Sequence, residues 1–162
     1  LGFSYGYSEV TYEATVWRGG APIEFPPPHD LRHKLGLTAS VDANWLTASA
    51  RWQYSSGLPF TSVYGYDTML EVRGLRDKPS EDIGTPRAFF EQAYGARLPA
   101  YHRLDISFKR TFDLSSSVGL TTEAGAINAY DRANVFYIDI FTLDRVDQLP
   151  LIPYLSLKIN LR

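Results

Sequence analysis

The chain contains no cysteine and no apolar run approaching the roughly 18 residues that a membrane-spanning helix requires. Without thiols, a disulfide framework and thiolate metal sites are both excluded, and the absence fits a cytosolic protein and a bacterial envelope protein alike. There is no excess of positive charge either. The net charge is −2 over 162 residues, so no basic face awaits a phosphate backbone and no nucleic-acid partner is expected. No charged segment followed by an apolar stretch opens the sequence, as expected of a mature protein or an excised piece. Helical periodicity is missing throughout, and if this chain meets a membrane, strands must cross it.

What the sequence has in quantity is aromatic residues, 14% of the chain with 11 tyrosines and 3 tryptophans, and a repeated two-residue alternation. In LTASARWQYSSG, Leu46, Ala48, Ala50, Trp52 and Tyr54 alternate with Thr47, Ser49, Arg51, Gln53 and Ser55. Successive side chains of a strand point to opposite faces, so this segment has one apolar and one polar wall. LRHKLGLTASV, RLDISFK and YLSLKINLR repeat the pattern from Leu31, Arg103 and Tyr154, with His33 the one exception in the first. LGFSYGYS at the start and VGLTTEAGA from Val118 are weaker versions in which glycine and serine take part of the second face. The expectation is an all-β chain of about six strands in one antiparallel unit, residues 1–162.

The connections alternate in length. Only Asp42, Ala43 and Asn44 separate the second and third strands, and about four residues around LSSS separate the fourth and fifth, so both are tight hairpins. TVWRGGAPIEFPPPHD joins the first two strands, and the segment 58–100 joins the third to the fourth, far beyond the usual loop of a compact domain. Short turns at one end and long loops at the other are the layout of a transmembrane β-barrel. A soluble sheet with one solvated face explains the alternation equally well and the loop asymmetry poorly. Pairing across the first hairpin is expected to set Gly36 against Arg51, Leu35 against Trp52 and Leu37 against Ala50, with Lys109 and Glu123 diagonal across the second. The polar wall then gathers Arg51, Arg103, Asp105, Lys109, Glu123 and Lys158 as lumen-facing residues. The opposite wall carries one charge, Arg110, beside a turn and next to Phe112, where a cation facing lipid costs about 0–1 kcal/mol.

Three stretches resemble a known family. ARLPAYHRLDISFKRTF (96–112), followed by GAINAYDRANVFYIDI (125–140), resembles the last strands of TonB-dependent outer-membrane receptors, with their R-L-P-x-Y-x-R-L-D strand ahead of an N-x-Y/F-[ND]-R-x-N-V segment. RWQYSSGLPFTSV (51–63) resembles the strand before them. The likeness covers most of Pro28 to Arg162. It implies a barrel of 22 strands, a plug inside it, an inner-membrane energy-transducing complex as partner through the plug region, and import of scarce or bulky nutrients. It also implies residence in the outer membrane of a Gram-negative bacterium, with the lipid bilayer and the remaining barrel strands as partners. Neither plug nor coupling segment is seen in these residues, so the chain is expected to be a C-terminal barrel segment, part of a larger barrel. The family usually finishes on an aromatic residue, and position 163 would share the outward face of Leu161.

Catalysis is not expected, and neither is a cofactor. His29 and His33 have a spacing that chelates metal on a helix, but Pro26, Pro27 and Pro28 argue against one, and on a strand they would stand about 13 Å apart. No nucleophile elbow or phosphate-binding loop occurs. The leucines two residues after His29, His33 and His102 differ from the His-x-Ser of outer-membrane phospholipases. His102, near Arg103 and Asp105, fits a general base with its orienter, or a strand-end residue at a membrane interface. Ligands are expected at the long loops, 58–100 being taken as extracellular and as the most mobile backbone, punctuated by Pro79 and Pro86. There Tyr64, Tyr66 and Tyr94 are candidates to stack on a sugar or an aromatic siderophore, or to pack the loop onto itself, the role expected of Phe89 and Phe90. The reading from another functional class is a soluble or surface-attached β-sheet ligand-binding module.

Overall fold

A computed structural model describes residues 1–15, 21–69 and 84–161. Pro79, part of the long 58–100 connection, part of the first connection and the terminal Arg162 fall outside those residues. The described chain is all-β. In order it forms β1 (Gly2–Tyr7), β2 (Tyr12–Ala14), β3 (Ile23–Phe25), β4 (His33–Ala43), β5 (Leu46–Ser55), β6 (Pro59–Phe60), β7 (Val63–Met69), β8 (Thr85–Phe90), β9 (Ala96–Arg97), β10 (Tyr101–Ser115), β11 (Val118–Ile127), β12 (Val135–Ile138), β13 (Arg145–Asp147) and β14 (Ile152–Leu161). Six of these make one antiparallel sheet in the order β1-β4-β5-β10-β11-β14, and the other eight pair as four two-stranded ribbons within the long connections. The six expected strands are therefore the six of the sheet, each joined to its sequence neighbour among the six.

The hairpins are tighter than the sequence suggests. β4 runs on to Ala43, the turn is Asn44–Trp45, and the register pairs Leu35 with Tyr54, Gly36 with Gln53, Leu37 with Trp52 and Thr38 with Arg51. The expected pairs are displaced by two residues. An even shift leaves every side chain on its own face, so the two walls stay pure. β10 likewise extends to Ser115, with an irregularity between Asp113 and Ser115 before a turn at Ser116–Ser117, and this sets Lys109 directly opposite Glu123, where a diagonal was expected.

Rows of cross-strand neighbours show the two walls. Leu37, Trp52 and Leu104 line up on one side, as do Val41, Ala48, Phe108, Ala124 and Leu155. On the other, Thr38, Arg51 and Asp105 form one row, and Asp42, Thr47, Lys109, Glu123 and Ser156 another. No hydrophobic side chain is buried among the described residues. Among the described residues no second sheet covers the apolar wall: Leu155, Leu157 and Ile159 are 70%, 65% and 67% exposed. Hollows of about 500 and 760 Å³ open over the polar side and share Gly2, Thr38 and Arg51.

β1 and β14 lie at the two margins, and among the described residues neither pairs with a further strand on its outer side. The sheet is open. β4, β5, β11 and β14 are 11, 10, 10 and 10 residues long, and strands of about 9–11 residues tilted by about 45° match the thickness of a bilayer's hydrocarbon. Rings gather at both ends of the apolar wall. At the loop end, Tyr5 and Tyr7 flank His33 and Trp52 stacks on Tyr54 with centroids 6.2 Å apart. At the turn end, the Arg110 guanidinium lies 4.5 Å from the Phe112 ring centre and 5.6 Å from that of Trp45. Between them lie Ala39, Ala50, Ile106 and Ala126 in one row and Val41, Ala48, Phe108 and Ala124 in the next.

Candidate functional site at the loop end of the sheet

The three buried polar residues among those described, Asp30 (1% exposed), Asn128 (0%) and Asn134 (4%), sit where the long connections leave the sheet. Buried polar groups must be hydrogen-bonded, so each reports what it holds together. Asn128 follows β11 with φ 55°, a left-handed conformation that asparagine tolerates better than most residues. Its Nδ2 donates to the carbonyls of Arg132 (3.0 Å) and Leu149 (3.2 Å), and its Oδ1 accepts from the Arg132 N–H (3.1 Å). Its own N–H donates to Asp105 Oδ1 at 3.0 Å, while Asp105 Oδ2 accepts from Arg103 at 2.8 and 3.2 Å. Asn134 completes the clasp: its Oδ1 accepts from the His102 N–H (3.1 Å) and its Nδ2 donates to the His102 carbonyl (2.9 Å), as a neighbouring strand would. RLD and NAYDRAN, separate in sequence, are thus one local structure.

A second clasp joins the remaining connections. Arg97 pairs with the Asp30 carboxylate and donates to the carbonyls of Asp30 and Gly57, both at 3.1 Å. A Cβ at Gly57 would run into the Leu98 carbonyl, which explains the glycine in SSGLP. Arg32 reaches Asp30 at 3.5 Å and Glu9 at 3.1 Å. Burial pushes the Asp30 carboxyl up, but the hydrogen bond and charge of Arg97, the Val10 amide and the charge of Arg32 outweigh it and hold the carboxyl below its ordinary value. PPPHD, SSGLP and ARLP therefore meet at one point above β4, β5 and β10.

The candidate ligand residues do not form a single platform. Tyr64 packs on Phe89 (5.9 Å), Tyr66 on Phe141 (6.5 Å), and Tyr94, at φ 53°, stacks on Phe25 (5.9 Å). Each ring serves a different contact between loop segments. The Tyr66 hydroxyl donates to the Ile140 carbonyl, tying the β7–β8 ribbon to the β12–β13 connection. Phe89, which also lies under the Arg87 guanidinium at 4.8 Å, packs its loop onto itself. The described part of 58–100 carries strands that its lack of alternation did not suggest: β7 pairs with β8 and β6 with β9, with Pro86 inside a strand opposite Thr68.

Arg51, Arg103, Asp105, Lys109, Glu123 and Lys158 all lie on the polar side of the sheet. Glu123 accepts from the Tyr154 hydroxyl at 3.2 Å. His102 lies on the opposite face from Arg103 and Asp105, and its Nδ1 meets the Tyr130 hydroxyl at 2.7 Å, so Asp105 does not orient it. Among the described residues no three His, Asp or Glu side chains converge to hold a metal ion. The sequence reading missed the roles of Asp30, Arg97, Asn128 and Asn134. The signal for the last two was present in the doubled asparagine of NAYDRAN, six residues apart and flanking an aspartate.

Comparison with protein-family models, characterised proteins and solved structures finds no match to this chain. The functional reading rests on the fold and the residues themselves.

Proposed function

We propose that the chain is a wall segment of an outer-membrane β-barrel receptor of the TonB-dependent kind, acting in energised uptake of a scarce or bulky nutrient when the barrel is whole. The observation that carries this reading is a single open sheet whose apolar face no second layer covers among the described residues, where no aliphatic or aromatic side chain is buried. A soluble monomer rarely exposes a contiguous apolar patch beyond about 300–600 Å², and this one crosses five strands. Lipid would cover it, the aromatic ends would lie at the two interfaces, and the polar side would face a lumen. The open margins then need further strands, since hydrocarbon leaves no strand-edge N–H or C=O to water. Support for the receptor family comes from the motifs that resemble it, whose residues make the two clasps above the sheet. Long connections would be extracellular and the turns at Asn44–Trp45 and Ser116–Ser117 periplasmic.

The test is a pair of substitutions in the intact protein that carries this chain. Ile106→Arg places a charge on the lipid side at a cost of about 2–4 kcal/mol near mid-membrane, whereas Ser107→Arg places one in the lumen. The first is expected to impair assembly into the outer membrane and the second to leave it intact. Equal tolerance of both, or a chain that stays monomeric in solution without detergent, would favour a soluble binding module.

A further inference from the structure

Beside the clasp of Asn128 and Asn134, one hollow combines charge, shape and position. It has a volume of about 390 Å³ at the loop end of the sheet and is lined by Pro99, His102, Tyr130, Arg132, Val135 and Arg145 among others. His102 puts it on the apolar side, since its ring neighbours that of Trp52 at 6.5 Å. Two guanidinium groups share the hollow. Arg145 is already paired with Asp147 and also donates to the Ala133 carbonyl. Arg132 is different: no carboxylate pairs with it among the described residues, and its Nε is buried without a hydrogen-bond partner. The guanidinium at the hollow therefore carries a charge that no carboxylate among the described residues offsets, and an oxyanion in the hollow would supply the missing counter-charge.

We propose that this hollow binds the phosphate group of a lipid headgroup from the outer leaflet. The proposal rests on the membrane reading above, which puts the loop end of the apolar face at the outer lipid–water interface. Arginine is the residue best matched to phosphate oxygens, offering parallel N–H donors from a planar fork. Arg132 supplies the uncompensated charge, and Tyr130, whose hydroxyl meets His102 Nδ1 at 2.7 Å, lines the same hollow. Pro99 and Val135 give the mouth an apolar lining against which an acyl chain can lie. Basic pockets at the membrane surface of other architectures select phosphorylated headgroups on the same grounds.

The experiment uses the intact protein in detergent and three probes: diphosphorylated lipid A, the same lipid stripped of its phosphates, and inorganic phosphate, with binding followed by native mass spectrometry. Lipid A is expected to bind, the dephosphorylated lipid to bind weakly, and R132Q to weaken lipid A binding on the order of tenfold, the worth of a charged hydrogen bond. R51Q, on the polar side, should leave it unchanged. Equal retention of lipid A by R132Q and the unsubstituted protein would overturn the site, and binding of inorganic phosphate alone would overturn the lipid as its source. Outer-membrane fractionation of the same variants keeps the two claims apart. R132Q that inserts normally with lipid binding unaffected refutes this site only, whereas failure of the unsubstituted protein to reach the outer membrane refutes the reading beneath it.

Discussion

Asn128 shows how much one side chain can hold. Three of its side-chain hydrogen bonds and its positive φ fix the path of the chain after β11. Asn128→Ala is expected to cost about 3 kcal/mol through the lost bonds, and Asn128→Gly to cost about 1 kcal/mol less because glycine accepts the left-handed backbone freely. Denaturant midpoints of the two variants check this, and equal midpoints would mean that the backbone there carries no strain. Asp30 makes a prediction in pH. Its carboxyl is held below the ordinary value of 3.8, so its contribution is complete above that value and is lost as pH falls through the depressed one. Stability of the unsubstituted protein should therefore fall more steeply on acidification between about pH 5 and pH 2 than that of Asp30→Asn, which lacks the titrating group. Parallel curves would contradict the assignment. Neither role was legible from the residue alone, because Asp30 meets Arg97 and Asn128 meets Leu149 only once the chain has folded, although the doubled asparagine of NAYDRAN marks where the clasp of Asn128 and Asn134 forms.

At the scale of elements, the six long strands were readable because an uncovered sheet forces a strict alternation over 10 or more residues, as in β5 and β14. Register was less legible. The turn at Asn44–Trp45 contains a tryptophan that looks like a strand residue, and only its place against the Arg110 side chain reveals it as part of a turn-end cluster. The eight short strands were not foreseen, since ribbons such as β7–β8 are held by local pairs, Asp67 with Arg87 at 2.6 Å among them, which leave no two-residue apolar period. Topology at this scale is open to protease. Trypsin added outside intact cells should cut within 58–100, where Arg73, Arg76 and Lys78 offer sites, while chymotrypsin should leave the bond after Trp45 intact. Cleavage at Trp45 with protection of 58–100 would invert the orientation.

For the whole molecule, the decisive fact is that the described residues bury polar clasps and no aliphatic or aromatic core. A sheet organised this way is half of an arrangement, and its missing half is the solvent or surface that meets Leu37, Ile106, Phe108 and Leu157. The absence of cysteine from the chain makes that surface directly measurable. Single cysteines placed in turn at positions 103 to 108 of β10 in the intact, membrane-inserted protein can each carry a nitroxide spin label, read for collision with lipid-dissolved oxygen and with a water-soluble nickel chelate. The account predicts a strict two-residue alternation, with labels at Leu104, Ile106 and Phe108 meeting oxygen and labels at Arg103, Asp105 and Ser107 meeting the chelate. Labels at Leu104, Ile106 and Phe108 shielded from both reagents would mean that protein covers the apolar wall, and would contradict it.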